Sequence, residues 1–360
     1  MTQVSGKTCL IVTLCKSPNY GAYFQAFALK EILIGYGYKV DFLDIYDGEN
    51  HKLLRRQFLR GSKRNPLNVW FGIRKFFVFK KADKKLSIKQ REDLSSYECV
   101  FIGSDEVWSV TNGSFRSAPE FFGLNLNGLL KFSYAPSVGN SGIEDFIGFP
   151  NFIDGLKRLD LISARDGESY EFIKKSVGRD DVVKVLDPTL LYDFSEKEVS
   201  FDVKKPYLLV YTYNFTKEVI EDVKFYADKN GLTIISAGFY HTWADRNIPC
   251  SPFEFLSLIR NARVFVTDTF HGSIFAIKYQ KDFISYGLHK KKVKYLLESL
   301  GLSKNLVTAG FLKSGGRIET DYTNLDKYLS PLIDQSHQYI QKCNSMVVEV
   351  NQPFSHDDKR

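Results

Sequence analysis

Strand-sized apolar runs alternate with helix-patterned segments along most of this chain, and that period restricts it to parallel sheets covered by helices. The first run, Thr8–Leu14, breaks at Ser17-Pro18-Asn19. A helical pattern follows, with Phe24, Phe27, Ala28, Ile32 and Leu33 on its apolar positions, and Gly35 and Gly37 close it before a second strand at Lys39–Leu43. Strand, crossover helix and strand make a parallel βαβ unit, so the turn after the first strand lies at the carboxyl edge of the sheet, where ligands bind. Further strands are predicted at Glu98–Ile102, Lys131–Ala135, Leu159–Ala164 and Asp181–Leu186, completing one α/β domain over residues 1–195.

The polar stretch Asp193–Pro206 reads as a linker, and the same period resumes after it. Strands are predicted at Tyr207–Tyr213, Thr233–Ala237 and Val264–Thr267, with helices at Glu218–Asn230, Pro252–Asn261 and Ser273–Tyr279. At 360 residues and 44% hydrophobic, the chain is long enough to bury two cores. The expected fold class is therefore α/β, with two doubly wound Rossmann-like domains, 1–195 and 196–325, facing each other across a cleft. A helix over 326–350 is expected to pack back on the body, and 351–360 reads as a disordered tail.

The longest apolar runs are strand-sized, shorter than the roughly 18 residues of a membrane-spanning helix. The N-terminus lacks the zones of a signal peptide, so the expected location is the cytoplasm. The five cysteines form no CxxC and no zinc-like spacing, and they read as reduced thiols in core or rim positions, with no metal site.

Charge is concentrated in one place. Lys52–Arg91 holds 14 Lys or Arg and one acid, a net +13 against +7 for the whole chain, which leaves −6 elsewhere. The segment interleaves these cations with Leu53, Leu54, Phe58, Leu59, Trp70, Phe71, Ile73, Phe76, Phe77 and Phe79. Such a composition suits an amphipathic surface on anionic lipid, with Trp70, Phe71, Phe76 and Phe77 entering the headgroup layer. A solvated helix pair packing its aromatics on the parent domain has the same composition. No nucleic-acid motif accompanies the segment, so no nucleic-acid partner is expected.

Several polar residues directly follow predicted strands. Asp105 and Glu106 could orient or deprotonate a hydroxyl, or cap a helix. Arg165 could hold phosphate or carboxylate with its planar fork, or pair with Asp166 or Glu168 at the surface. Asp187, before Pro188, reads as structural. Thr267-Asp268-Thr269-Phe270-His271-Gly272-Ser273 brings a helix amino terminus and an imidazole to the ligand edge. His289-Lys290-Lys291-Lys292 offers a second anion contact or a solvated loop.

Taken together in order, these segments resemble the polysaccharide pyruvyl transferase family. The pieces are Asn19-Tyr20-Gly21-Ala22 with Gln25 and Ala28-Leu29, GSDEVW at 103–108, SYAPSVG at 133–139, ISARDGES at 162–169, VLDPTLL at 185–191 and VTDTFHGSIFAI at 266–277. Thr269 stands where the family often has Ser, and Phe270 and Lys290–Lys292 stand where some members carry arginines.

The resemblance implies a fold similar to two-domain (GT-B type) glycosyltransferases. It also implies transfer of pyruvate from phosphoenolpyruvate, as donor substrate and without a cofactor, to a sugar acceptor as a cyclic ketal. A lipid-linked acceptor would place the protein peripherally on an anionic membrane surface. His271 would then be the acid or base, and Asp105 would orient the sugar hydroxyl. Arg165 would be the main anion clamp, with Thr269, Phe270, the amides near Gly272 and Ser273, and Lys290 completing the donor side, and Ser104 would be a further substrate contact. Asn19 and Gly21 would shape the acceptor side. A nucleotide-sugar-dependent glycosyltransferase and a noncatalytic membrane-surface glycan-assembly protein are the two alternative readings.

Overall fold

The structure, a computed structural model, describes residues 7–45, 48–58, 65–90 and 94–351. Leu59 and Arg91 of the basic segment, and the tail beyond Asn351, lie outside the described residues.

The first half builds β1 (Lys7–Val12), α1 (Tyr20–Gly35), β2 (Tyr38–Leu43), α2 (Gly48–Phe58), α3 (Pro66–Asp83), β3 (Ile88–Lys89), β4 (Cys99–Ile102) and β5 (Leu130–Ser133). It continues through α4 (Pro150–Lys157), β6 (Ser163–Ala164), α5 (Gly167–Phe172), β7 (Val183–Lys184) and α6 (Pro188–Leu191). The second half adds β8 (Tyr207–Tyr211), α7 (Lys217–Lys229), β9 (Thr233–Ala237), β10 (Arg246–Ile248), α8 (Pro252–Asn261), β11 (Val264–Thr267), α9 (Phe270–Lys278), β12 (Phe283–Ser285), α10 (Lys291–Ser299) and α11 (Leu325–Asn351).

The two sheets run in the orders β3-β2-β1-β4-β5 and β10-β9-β8-β11-β12, with every pairing parallel. Each order reverses direction beside its first strand, the switch point at which doubly wound sheets open a crevice. The fold class is thus two Rossmann-like α/β units, as the period predicts. The two strands expected after β5 shrink to the residue pairs of β6 and β7. Hydroxyls take over the bonding there: Ser163 N–H donates to Ser133 Oγ at 2.7 Å, and Ser163 Oγ donates to the Ser133 carbonyl at 2.7 Å.

One core joins the halves. Helix α1 is buried nearly all round its first three turns, because it lies between the first sheet and helices α8 and α9. Tyr20 stacks on Phe255 at 4.2 Å and Phe24 meets Phe275 edge-on at 5.5 Å, while Tyr23 meets Phe253 at 5.8 Å. Fully burying each such ring stabilises the fold by about 1.5–3 kcal/mol.

Helix α11 returns to the first sheet: Tyr339 donates its hydroxyl to the Ser133 carbonyl at 2.7 Å, and the Ser336 hydroxyl accepts from the Leu186 N–H at 2.9 Å. Leu186 immediately precedes Asp187, so α11 helps hold the end of β7 in place. Ser336→Ala leaves the buried Leu186 amide without its acceptor and is expected to cost about 1–3 kcal/mol, read as a lower urea midpoint. An unchanged midpoint would show that this contact does not hold the segment.

Candidate active site

The carboxyl ends of both sheets face one cleft of about 1160 Å³. On its first wall, the turn after β1 ends at Asn19, which caps α1: Asn19 Oδ1 accepts from the amides of Gly21 at 2.8 Å and Ala22 at 3.3 Å. The same oxygen accepts from the Tyr211 hydroxyl at 3.0 Å, and Asn19 Nδ2 donates to the Tyr213 hydroxyl. The cap therefore bridges the two halves. Gly21 is required by proximity, since a Cβ there would lie 2.2 Å from Cγ and Nδ1 of His271. Only a residue without a side chain lets the imidazole lie against the start of α1.

On the second wall, β11 runs through Asp268 to Thr269, the cap of α9. Thr269 Oγ1 accepts from the Gly272 amide at 3.0 Å, and the Thr269 carbonyl accepts from the Ser273 amide at 3.0 Å and the Ser273 hydroxyl at 3.1 Å. The amides of Gly272 and Ser273, read from the sequence as free donors for an anion, are thus spent inside the helix cap. Sequence alone could have shown this, because Thr three residues before Gly is the spacing of an N-cap.

Behind both walls lies a buried charge cluster centred on Asp187. Its Oδ2 accepts from Arg165 Nη1 at 2.8 Å and from Ser104 Oγ at 3.3 Å, and stands 3.4 Å from His271 Nε2. Its Oδ1 accepts from the Thr189 hydroxyl at 2.6 Å and the Thr189 amide at 3.1 Å. Burial by itself would raise this carboxyl, but His271 and Arg165 beside it hold it well below the usual carboxylate range. His271 Nε2 is buried and lacks the alignment of a hydrogen bond to any described residue. Asp187 is the functional candidate that the sequence reading assigned to structure only.

Arg165 is not at the cleft surface. Its side chain is only 2% exposed, its guanidinium stacks at 4.5 Å on the Phe270 ring, and Phe270 lines the cleft in its place. The expected clamp therefore lies one layer below the cleft, bound to Asp187, with its Nε unpartnered among the described residues.

Asp105 does reach the cleft, 3.9 Å from Arg165 Nη1, and its φ of 72° lies in the left-handed region that Asp tolerates better than most residues. Ser104 sits below it, fully buried, donating to Asp187. The lysines after β12 each meet a carboxylate: Lys290 pairs with Asp268 at 2.7 Å, Lys291 with Glu168 at 2.7 Å, and Lys292 with Glu106. The last two pairs cross the cleft. Burial pulls the Lys292 amine down to about 8.

Sequence reasoning also missed Lys75 of α3, which lines the cleft, donates to the Gly238 carbonyl and is pulled down to about 7 by burial. Among the described residues, no group of three or more His, Cys, Asp or Glu is placed to hold a metal ion.

The basic segment divides by helix face. Trp70 and Phe77 are exposed and Phe76 is partly so, whereas Phe71 is 3% exposed and packs on Tyr240 at 5.8 Å. Phe71 is thus core, in correction of its expected place at a membrane surface. Among the described residues no helix is long and apolar enough to cross a membrane.

A family model described as polysaccharide pyruvyl transferase matches residues 19–289, from the cap of α1 to the start of the lysine loop. The chain belongs to the polysaccharide pyruvyl transferase family. Members are transferases, and the matched stretch of this pyruvyl transferase family chain contains Asn19, Asp105, Arg165, Asp187 and His271.

No curated protein sequence matches the chain. Among solved structures it is similar to a UDP-GlcNAc 2-epimerase from Methanocaldococcus jannaschii, at 10% identity and TM-score 0.48, covering 94% of this chain and 99% of that one. It is also similar to the UDP-N-acetylglucosamine 2-epimerase from Rickettsia bellii (11% identity, TM-score 0.45, covering 97% and 98%). A third similarity is to the glycosyltransferase SnogD from Streptomyces nogalater (12% identity, TM-score 0.43, covering 96% and 100%). The strand orders of the two sheets, rather than these distant likenesses, fix the fold class.

Removing the Asp187 charge takes from the buried Arg165 its nearest counter-charge and leaves Asp105 at 3.9 Å, so Asp187→Asn is expected to cost about 3–5 kcal/mol at neutral pH. Because the folded carboxyl is held below its unfolded value of about 3.9, its contribution is complete above that pH and lost as the pH falls further. Denaturation at pH 7 and pH 3 should therefore show a weaker variant with a flatter acid limb, and parallel curves would contradict the cluster.

Proposed function

We propose that this protein transfers the pyruvyl carbons of phosphoenolpyruvate to two hydroxyls of one sugar in a glycan precursor, forming a cyclic ketal and releasing phosphate. The observation that carries this reading is the reach of the family match: residues 19–289 include the turns from both sheets that supply Asn19, Asp105 and His271 to one cleft.

The reaction needs a proton donor, an oriented hydroxyl and cations for a dianionic phosphate and a carboxylate. In this reading His271 protonates the enol methylene, which makes the neighbouring carbon electrophilic. One sugar hydroxyl, oriented by Asp105, adds to that carbon. The second hydroxyl then displaces phosphate, so one hydroxyl proton ends on the new methyl group and the other on phosphate. Asp187 faces the imidazole, with Oδ2 3.4 Å from Nε2, and Arg165 and Ser104 fix Asp187 from below. Arg165 thereby becomes a positioning residue.

Lys290, Lys291 and Lys292 supply the donor-side cations. Lys290 pairs with the buried Asp268, whereas the partners of Lys291 and Lys292 are part-exposed carboxylates, and pairs of that kind contribute only about 0–1 kcal/mol. An arriving dianion can therefore take over Lys291 and Lys292. Thr269 and Phe270 flank the donor, while Asn19 and Gly21 border the acceptor.

Thermal unfolding with phosphoenolpyruvate, a nucleoside diphosphate and inorganic phosphate in parallel tests this reading, since a ligand of the folded state at 100 times its Kd adds about 2.7 kcal/mol. The expected result is a rise with phosphoenolpyruvate that exceeds the phosphate control and shrinks in Lys290→Ala. His271→Gln should lower kcat by about 10²–10⁴. A rise confined to the nucleotide would instead identify a glycosyltransferase.

A further inference from the structure

We propose that the outer face of α3 docks on an anionic lipid bilayer and that this docking brings the mouth of the cleft to the headgroup layer. The helix has two apolar faces. Phe71, Lys75, Phe79 and Ala82 repeat at helical spacing and are buried against the body. Tyr20 stacks on Phe79 at 5.2 Å, which fixes this inner face to α1.

The outer face repeats Leu67 (64% exposed), Trp70 (55%), Ile73 (46%) and Phe77 (61%), a continuous stripe rather than scattered surface residues. Exposed Arg74, Lys80, Lys81 and Lys84 border that stripe, Arg74 lying 5.9 Å from the Trp70 ring and Lys80 5.9 Å from the Phe76 ring. Neighbouring α2 adds exposed Lys52, Arg55 and Arg56.

The charge pattern selects the occupant. Lysine is depleted in the cores of protein interfaces, whereas a helix lying in the headgroup layer carries aromatics on its buried face and cations that extend to lipid phosphates. At 18 residues α3 can lie along such a layer, and no helix among the described residues is apolar enough to span one.

The helix pair also borders the cleft. Leu54 and Gln57 of α2 and Lys75 of α3 line it alongside His271. A bilayer under α3 would place a lipid-linked sugar beside that wall. This last step rests on the pyruvyl-transfer reading, while the docking itself rests on the helix alone.

Flotation of the full chain with vesicles of phosphatidylcholine, and of phosphatidylcholine containing phosphatidylglycerol, separates the two claims because it needs no turnover. Binding is expected on the anionic vesicles only, weakened by salt, unaffected by millimolar free phosphate and reduced about tenfold or more in Trp70→Ser/Phe77→Ser. Ile147→Ser, at a residue 82% exposed elsewhere, should bind like the parent chain. The double variant should still act on a short soluble acceptor while losing activity on a lipid-linked one. No binding to anionic vesicles, or equal binding by the double variant, would overturn the proposal, as would capture by a soluble acidic protein without vesicle binding.

Discussion

The Asp187 carboxylate is the constraint on which the site depends. A buried charge is tolerable only when partners surround it, and here they come from three separate stretches: Ser104 after β4, Arg165 after β6 and His271 in α9. The first two belong to one sheet's unit and the last to the other's. The cost of leaving Asp187 or Arg165 alone therefore acts on the relation between the halves as well as on each local turn. Gly21 completes the arrangement from the first wall, because the His271 ring occupies the space its side chain would need.

Helix α1 does the corresponding work in apolar terms. Its aromatics fill the space between the first sheet and helices α8 and α9, and its cap, Asn19, reaches Tyr211 and Tyr213 across the same boundary. A rigid core thus runs up to the edge of the cleft. What crosses the open part of the cleft is weaker: Lys291 with Glu168 and Lys292 with Glu106 are part-exposed ion pairs. Strong contacts set the position of the imidazole, and weak ones hold the cations.

The alternation of strand and helix made both sheets legible, since Thr233–Ala237, Pro252–Asn261 and Val264–Thr267 fall where their apolar patterns place them. Strands of two or three residues such as β3, β10 and β12 carry no readable period. The strand-end positions of His271 and Asp105 were legible for the same reason as the sheets. Asp187 was not, because an Asp before Pro has a complete local explanation as a turn, and only the folded chain brings Arg165 and His271 to it. Nothing in the sequence around Arg165 tells that Phe270 lies over it, so its burial is not legible there. In α3 apolar residues occupy both faces, so composition could not separate the buried Phe71 from the exposed Trp70.

Family membership and a two-walled cleft lined by an imidazole, the Asp105 carboxylate and three lysines support the proposed chemistry, pyruvyl transfer. The direct test is to incubate the protein with phosphoenolpyruvate carrying ¹³C at its central carbon and a panel of sugar diols, following carbon and phosphorus together by NMR. The account predicts that with some diol the enol carbon signal gives way to a ketal signal with equimolar phosphate, and that His271→Gln abolishes both changes. Consumption of a nucleotide sugar with phosphoenolpyruvate untouched would contradict it.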